Sequence, residues 1–421
     1  MGHRTLSLSY VRLIAGRLVR SLWFTPAAYA VLAVVLLLGA PTASVFLPVE
    51  FHKLIGLDGI DDLLGVLANT LLAVAIFSLG IMVSSLQAAA SAATPRARPL
   101  LMQDRTAQNA ISVFIGGFIF AIVGTVGLST SYFDQPARVI LFFVTCLVIA
   151  SVIYALIRWI ARLSNLGDVS EVIDLLEEAA DTAFADLAAK PFMGGVEATE
   201  IPANGFPIYA REFGFVQAID AATLGALSEQ EQTDIFIASR PGSYVDPTTM
   251  LIASSKILDA KARKAVCDAF VIGGERTFEA DPRFCLIVLS ETASKALSPG
   301  INDPGTAIDV VGTSLRILAI WSTQTRQTTH DVDFPRLHIR AVDVEDFVID
   351  AFRWIARDGA GQLEVQVRIQ KALKSLIDHD EPRFGKAARA MSQESVERAR
   401  CGLAWSQDIT ILEHEVAALY R

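Results

Sequence analysis

The sequence predicts a membrane protein, with a transmembrane region of four helices followed by an α+β cytoplasmic domain that carries a small β-module in its middle. Three observations lead there. Long apolar runs are confined to the part before Leu163. The remainder mixes Asp, Glu, Arg and Lys with apolar residues as a water-exposed fold does. In the middle of that remainder the apolar period shortens from that of a helix to that of a strand. At 421 residues and 52% hydrophobic, the chain exceeds one average domain and lies above the soluble norm. The uneven distribution implies two regions with different solvents.

A helix crosses a ~30 Å hydrocarbon core with about 20 apolar residues. Four stretches reach that length: 26–47, 63–87, 107–132 and 137–159. In the first, Pro26 suits an early helical position, and Pro41 is placed to kink the outer half. Its apolar run exceeds a signal-peptide core and its leader is too long for a usual n-region, so a retained helix is expected. Residues 1–25 read as a cytoplasmic segment in which Leu8, Val11, Ile14, Leu18 and Leu22 face away from Arg12, Arg17 and Arg20, as in an interfacial helix. Arg4, Arg12, Arg17 and Arg20, then Arg96, Arg98 and Arg105, then Arg158 and Arg162 mark three segments as cytoplasmic. The positive-inside rule therefore predicts both termini in the cytoplasm of a bacterial inner-membrane protein.

The second stretch is the most informative. Asn69, Ala73, Ile76, Gly80, Ser84 and Gln87 recur at helical spacing, so a small and polar stripe runs along one face. Such a stripe either packs closely against another helix or lines a hydrated path. The third stretch adds Gly116, Gly117, Gly124 and Gly127 with Asn109, Ser112 and Thr125, a small-residue groove for a neighbouring helix. No Asp, Glu, Lys or Arg stands at the centre of any of the four, which argues against a proton-coupled pump.

The soluble domain spans 164–421. Residues 169–189 read as an amphipathic helix through Val172, Leu175, Leu176, Ala179, Thr182 and Ala183. Residues 206–220 and 234–254 alternate and are broken by Pro-Gly and Asp-Pro turns, as short strands of a barrel-like module would be. A further strand is expected within 269–277, helices over 281–297 and 305–321, and helix nearly throughout from Val344, with breaks at 358–361 and 380–385.

Familiar chemistry is missing. No phosphate-binding loop, dinucleotide fingerprint, zinc-protease motif or nucleophile elbow occurs. The six histidines lack metal-ligand spacing, and Cys146, Cys267, Cys285 and Cys401 lack C-x-x-C spacing, so neither metal nor cofactor is expected. The net charge of −9 argues against a nucleic-acid partner. One segment exceeds its local duty: in Ser298 to Pro304, Asn302 or Asp303 can cap the next helix with Pro304 in its first turn. Alternatively, Gly300, Asn302 and Asp303, with Glu275, Arg276 and Asp281 as companions, bind an ion or small ligand or contact another subunit.

These residues resemble a bacterial family of predicted membrane proteins known as domain of unknown function 2254. The matching words are Ser21-Leu22-Trp23-Phe24, Phe77-Ser78, Leu86-Gln87, Pro95-Arg96, Asp104-Arg105 and Gln108. In the soluble part they are Gly214 through Asp220, Arg240-Pro241-Gly242, Ala269 through Gly273, Glu275-Arg276-Thr277 and Leu297 through Pro304. Thr94 stands where serine is expected and Phe215 where tyrosine is commoner. The resemblance runs from about Ser21 to His379 and implies membrane topology and domain order, with no activity attached.

The leading expectation is an oligomeric channel or pore-like protein in the lipid bilayer, a homo-oligomer whose cytoplasmic domain assembles or gates it. The runner-up is a membrane-anchored sensor or scaffold whose cytoplasmic domain binds a ligand or partner. A membrane-embedded enzyme ranks third, because paired intramembrane carboxylates and a histidine cluster are both lacking.

Overall fold

A computed structural model describes residues 24–43, 59–102, 105–130, 132–133, 135–163, 167–328 and 330–420. The expected interfacial leader, the end of the first crossing at 44–47 and most of the loop behind it lie outside these residues. The described chain divides into two compact units, one of residues 24–91 and 98–171, the other of 92–97 and 172–420.

The first unit is helical, built from α1 (Phe24–Ala43), α2 (Ile60–Ala92), α3 (Arg105–Ser129) and α4 (Gln135–Leu163). By length and composition α2, α3 and α4 can each cross a membrane, and α1 contributes a shorter apolar helix over Pro26–Gly39. At 33 residues α2 overruns the expected 63–87 at both ends. Its roughly 50 Å exceeds the hydrocarbon thickness, and Asp61 and Asp62 occupy its first turn, where the helix dipole favours negative charge.

The glycines of α3 explain how the helices meet. A methyl group on Gly116 would lie 3.0 Å from Tyr29 Cβ of α1, one on Gly117 2.8 Å from Leu71 Cδ1 of α2, and one on Gly124 3.1 Å from Leu64 Cδ1 of α2. Each glycine thus admits a side chain from a neighbour, which is the packing role the sequence suggested. Thr125 Oγ1 bonds back to the Ala121 carbonyl at 2.9 Å, and the buried Ser112 hydroxyl bonds back to Gln108. These hydroxyls are therefore satisfied within α3 and do not bridge helices.

The second unit starts with α5 (Val169–Ala189), of which residues from Val172 on belong to it. Val172, Leu176 and Ala183 are buried as expected; Phe184, the largest buried side chain of α5, is an addition. There follow β1 (Val196–Glu197), β2 (Phe206–Tyr209), β3 (Gly214–Ile219), α6 (Ala221–Gln230), β4 (Ile235–Ile237), β5 (Tyr244–Val245), β6 (Met250–Ser254), α7 (Ala260–Asp268) and β7 (Phe270–Gly273). The rest comprises α8 (Pro282–Ala296), α9 (Pro304–Gln327), β8 (Leu337–Ile339), α10 (Val344–Asp358), α11 (Leu363–His379), α12 (Glu381–Gly402) and α13 (Ser406–Leu419).

The strands do not close into the expected barrel. They form two open sheets, one of order β1-β8-β4-β6-β2 and one of order β5-β3-β7. The reason is β8, which returns after two long helices and inserts between β1 and β4, parallel to both. Ile235, Ile237, Leu251, Ile252, Leu337 and Ile339 form the fully buried centre of this layer. The helical remainder packs round an aromatic cluster: Phe184 of α5 lies 5.7 Å from Trp321 of α9, which lies 5.1 Å from Phe347 of α10 and 6.4 Å from Phe384 of α12.

Candidate functional site

The polar stripe of α2 acquires a direction from the fold. Leu64, Leu67, Leu71, Ala75, Ser78 and Met82 are buried against the rest of their unit. Asn69, Ala73, Ile76, Gly80, Ser84 and Gln87 are all exposed. At about 3.6 residues per turn the two sets fall on opposite sides of the helix. The stripe therefore faces away from the bundle of its own chain, and close packing inside that bundle is not its role. A methyl group on Gly80 would meet nothing within 4 Å. Neither the Asn69 nor the Gln87 side chain is hydrogen-bonded to another described residue. An amide facing hydrocarbon loses its water without replacement, so such a face calls for water or another helix beside it.

Where α2 ends, the chain enters the second unit. Thr94 and Ala97 are buried there. The Arg96 guanidinium pairs with the Glu291 carboxylate of α8, and Thr94 Oγ1 donates to the other oxygen of Glu291 at 3.2 Å. The Glu291 side chain is only 10% exposed. Pro95-Arg96 stood out in the sequence, but Glu291 did not, because 195 residues separate the partners and no local pattern joins them.

The segment Ser298–Pro304 resolves into a helix connection. Asp303 caps α9, with Oδ1 accepting from Thr306 N–H at 3.2 Å and Oδ2 from the Thr306 hydroxyl at 2.6 Å. Those hydrogen bonds hold the Asp303 carboxyl below its ordinary range. Asn302 takes a left-handed backbone, φ 52°, a position asparagine tolerates better than most residues; its side chain accepts from Gln362 at 3.4 Å. Gly300 is exposed, and a methyl group there would meet nothing within 4 Å.

The proposed companions are elsewhere. Glu275, Arg276 and Asp281 precede α8 while 298–304 follow it, so a 15-residue helix, roughly 22 Å of rise, keeps them apart. At that other end Arg276 donates to both oxygens of Asp281, at 2.7 and 2.9 Å. Asp281 also caps α8 through Phe284 N–H at 3.2 Å, and the Arg276 guanidinium lies 5.2 Å from the Phe284 ring centroid. Gln217 Nε2 donates to the Glu275 carbonyl at 2.7 Å. Gly242, with φ 89°, fits against the Asp281 carboxylate where a Cβ would collide. This knot ties three of the matching sequence words together, and its buried charges are mutually satisfied. Among the described residues no group of His, Cys, Asp and Glu could hold a metal ion.

Apolar crossing helices joined to a mixed α+β unit define a membrane protein with an extramembrane domain. The chain belongs to the family described as predicted membrane protein (DUF2254), whose model matches residues 19–375. Similar proteins include an uncharacterized protein of Mycobacterium bovis and one of Mycobacterium tuberculosis, each 30% identical over 159 residues. The alignment covers 36% of this chain and 28% of each relative, so the chain spans well under half of their length. No solved structure matches.

Proposed function

We propose that this protein is an oligomeric channel or pore-like protein of the bacterial inner membrane. In this reading all four N-terminal helices cross the bilayer, both termini lie in the cytoplasm, and the second unit assembles or gates the pore. One observation carries the reading: the polar stripe of α2 lies opposite the face that α2 buries in its own chain. Copies arranged with these stripes toward a common axis bring Asn69, Ser84 and Gln87 together where water and solutes pass. The arginine distribution supports the orientation. The Arg96–Glu291 pair supports gating, because it holds within the second unit the segment that directly follows α2 in the chain. No enzymatic step is assigned.

Reconstituted protein should conduct, and Asn69→Leu and Gln87→Leu should change conductance while leaving the chain folded. Where either amide joins helices, its loss should weaken assembly by about 1 kcal/mol, read as oligomer size against protein concentration. A parent protein that assembles but passes no ion at any voltage or salt tested would overturn the channel and leave the membrane-anchored sensor.

A further inference from the structure

Strands β4 and β8 run parallel with Ile237 beside Ile339, so the chain leaves both at the same end. From there it diverges, β4 turning through Arg240-Pro241-Gly242 to the smaller sheet and β8 passing through Arg340 to α10. The Arg240 side chain is half-buried at this divergence. One of its nitrogens donates to the Arg340 carbonyl and another to the Pro191 carbonyl at 3.0 Å. Its backbone is fixed by the turn, in which Ser243 N–H bonds to Arg240 O at 3.1 Å and Gly242 N–H to Val216 O at 2.8 Å.

No carboxylate pairs with Arg240 or Arg340 among the described residues. In the same unit Arg276, Arg283, Arg316, Arg353 and Arg398 each hold an acid, and of the arginines without one Arg240 is held by two backbone carbonyls at the end of a strand. The chain carries 45 acidic against 36 basic residues, and even Glu197, in register with Ile339 at this end of the sheet, forms no ion pair with either arginine. Burial, then the like charge of Arg340, pulls the Arg240 pKa down to about 10, and the group is still a cation near neutral pH. A desolvated cation normally has an anionic partner. Carbonyl bonds hold Arg240 in place but leave its charge uncompensated and the other donors of its five-donor fork free to turn to a ligand.

We propose that the carboxyl ends of β4 and β8 form a binding site for a phosphate-bearing anion, gripped by the Arg240 and Arg340 guanidinium groups. Planar guanidinium forks match phosphate oxygens in pairs, and strand ends where the chain diverges are common ligand positions in sheets with parallel strands. The occupant is either a soluble phosphoryl compound or the headgroup of an anionic lipid, which present the same chemistry.

The test titrates inorganic pyrophosphate into full-length protein in phosphatidylcholine nanodiscs, followed by calorimetry. Arg340 is exposed, so R340Q should melt with the parent and bind at least tenfold more weakly; R240Q should bind weakly as well. In discs containing phosphatidylglycerol, a drop in the parent's pyrophosphate affinity that R340Q does not share identifies a lipid headgroup as the occupant. Unchanged affinity there identifies a soluble one. Absence of saturable binding by the parent, or equal binding by the parent and a folded R340Q, overturns the proposal.

Discussion

The two units differ in where their amides stand. In the second unit the fully buried amides of Gln366 and Gln370 are satisfied within the chain: Gln366 Nε2 donates to the Gly359 carbonyl at 2.9 Å while its oxygen accepts from Ser395 at 2.6 Å, and Gln370 exchanges hydrogen bonds with Ser392. In the first unit the interior is mostly apolar, with Gln108 as a buried amide that donates to the Met102 carbonyl at 2.7 Å, while the amides of Asn69 and Gln87 stand on the outside, among exposed residues as large as Phe77 and Leu79. A water-soluble fold buries apolar surface and must pair whatever polar groups it buries with it. A membrane helix gains nothing by hiding leucine from lipid and must instead bring its polar groups to a partner. The stripe of α2 is thus the feature of the first unit that needs something beyond its own chain.

The comparison can be broken most forcefully at Asp281. Removing one member of a buried, hydrogen-bonded ion pair costs about 3–5 kcal/mol, and Asp281→Ala strips the partner from Arg276 and the cap from α8 at once. Chemical denaturation in detergent should show that loss for the second unit, while α2-mediated association survives. A loss below about 1 kcal/mol would mean the pair behaves as a solvated surface contact. In the first unit the corresponding weak point is steric. Gly124→Leu must push Leu64 away, and overpacking of this kind costs about 1–3 kcal/mol, read as a lowered melting temperature with unchanged denaturation of the second unit.

A smaller effect sharpens the picture at Asp303. Replacement by Ala should lower stability by ~0.5–2 kcal/mol, whereas Asp303→Asn keeps an acceptor for Thr306 and should be nearly neutral. Because the folded carboxyl titrates below its unfolded value, its stabilisation is full above the unfolded carboxylate range. It fades as the pH falls through the folded pKa. A pH series on parent and Asp303→Asn should therefore converge in acid. Divergence in acid would contradict the capping role.

Much of this architecture was legible in the sequence because it rests on local chemistry. The apolar lengths of α2, α3 and α4, the Pro304 start of α9 and the strands within 206–254 all follow from residues adjacent in the chain. The five-stranded sheet was not legible, since β8 has only Leu337, His338 and Ile339 to announce it and its neighbours are more than 80 residues away in sequence. The same distance hid Glu291 from Arg96. The stripe itself was readable from Asn69 to Gln87, but its direction was not. Periodicity fixes which residues share a face and is silent about where that face points. The grouping of Gly300, Asn302 and Asp303 with Glu275 and Arg276 failed for a related reason, because nearness in sequence across a turn was read through a helix that separates them.

Disulfide cross-linking in native membranes tests the outward stripe most directly. In a background with the other cysteines replaced by serine, Gly80→Cys on the stripe should form cross-linked oligomers on mild oxidation. Met82→Cys, on the buried face of the same helix, should not, and neither should native Cys146, exposed on α4. Efficient cross-linking of Gly80→Cys alone is the result predicted here. Cross-linking through Cys146 with none through Gly80→Cys or Ala73→Cys would show that copies meet elsewhere, and the stripe could then not line a path between them.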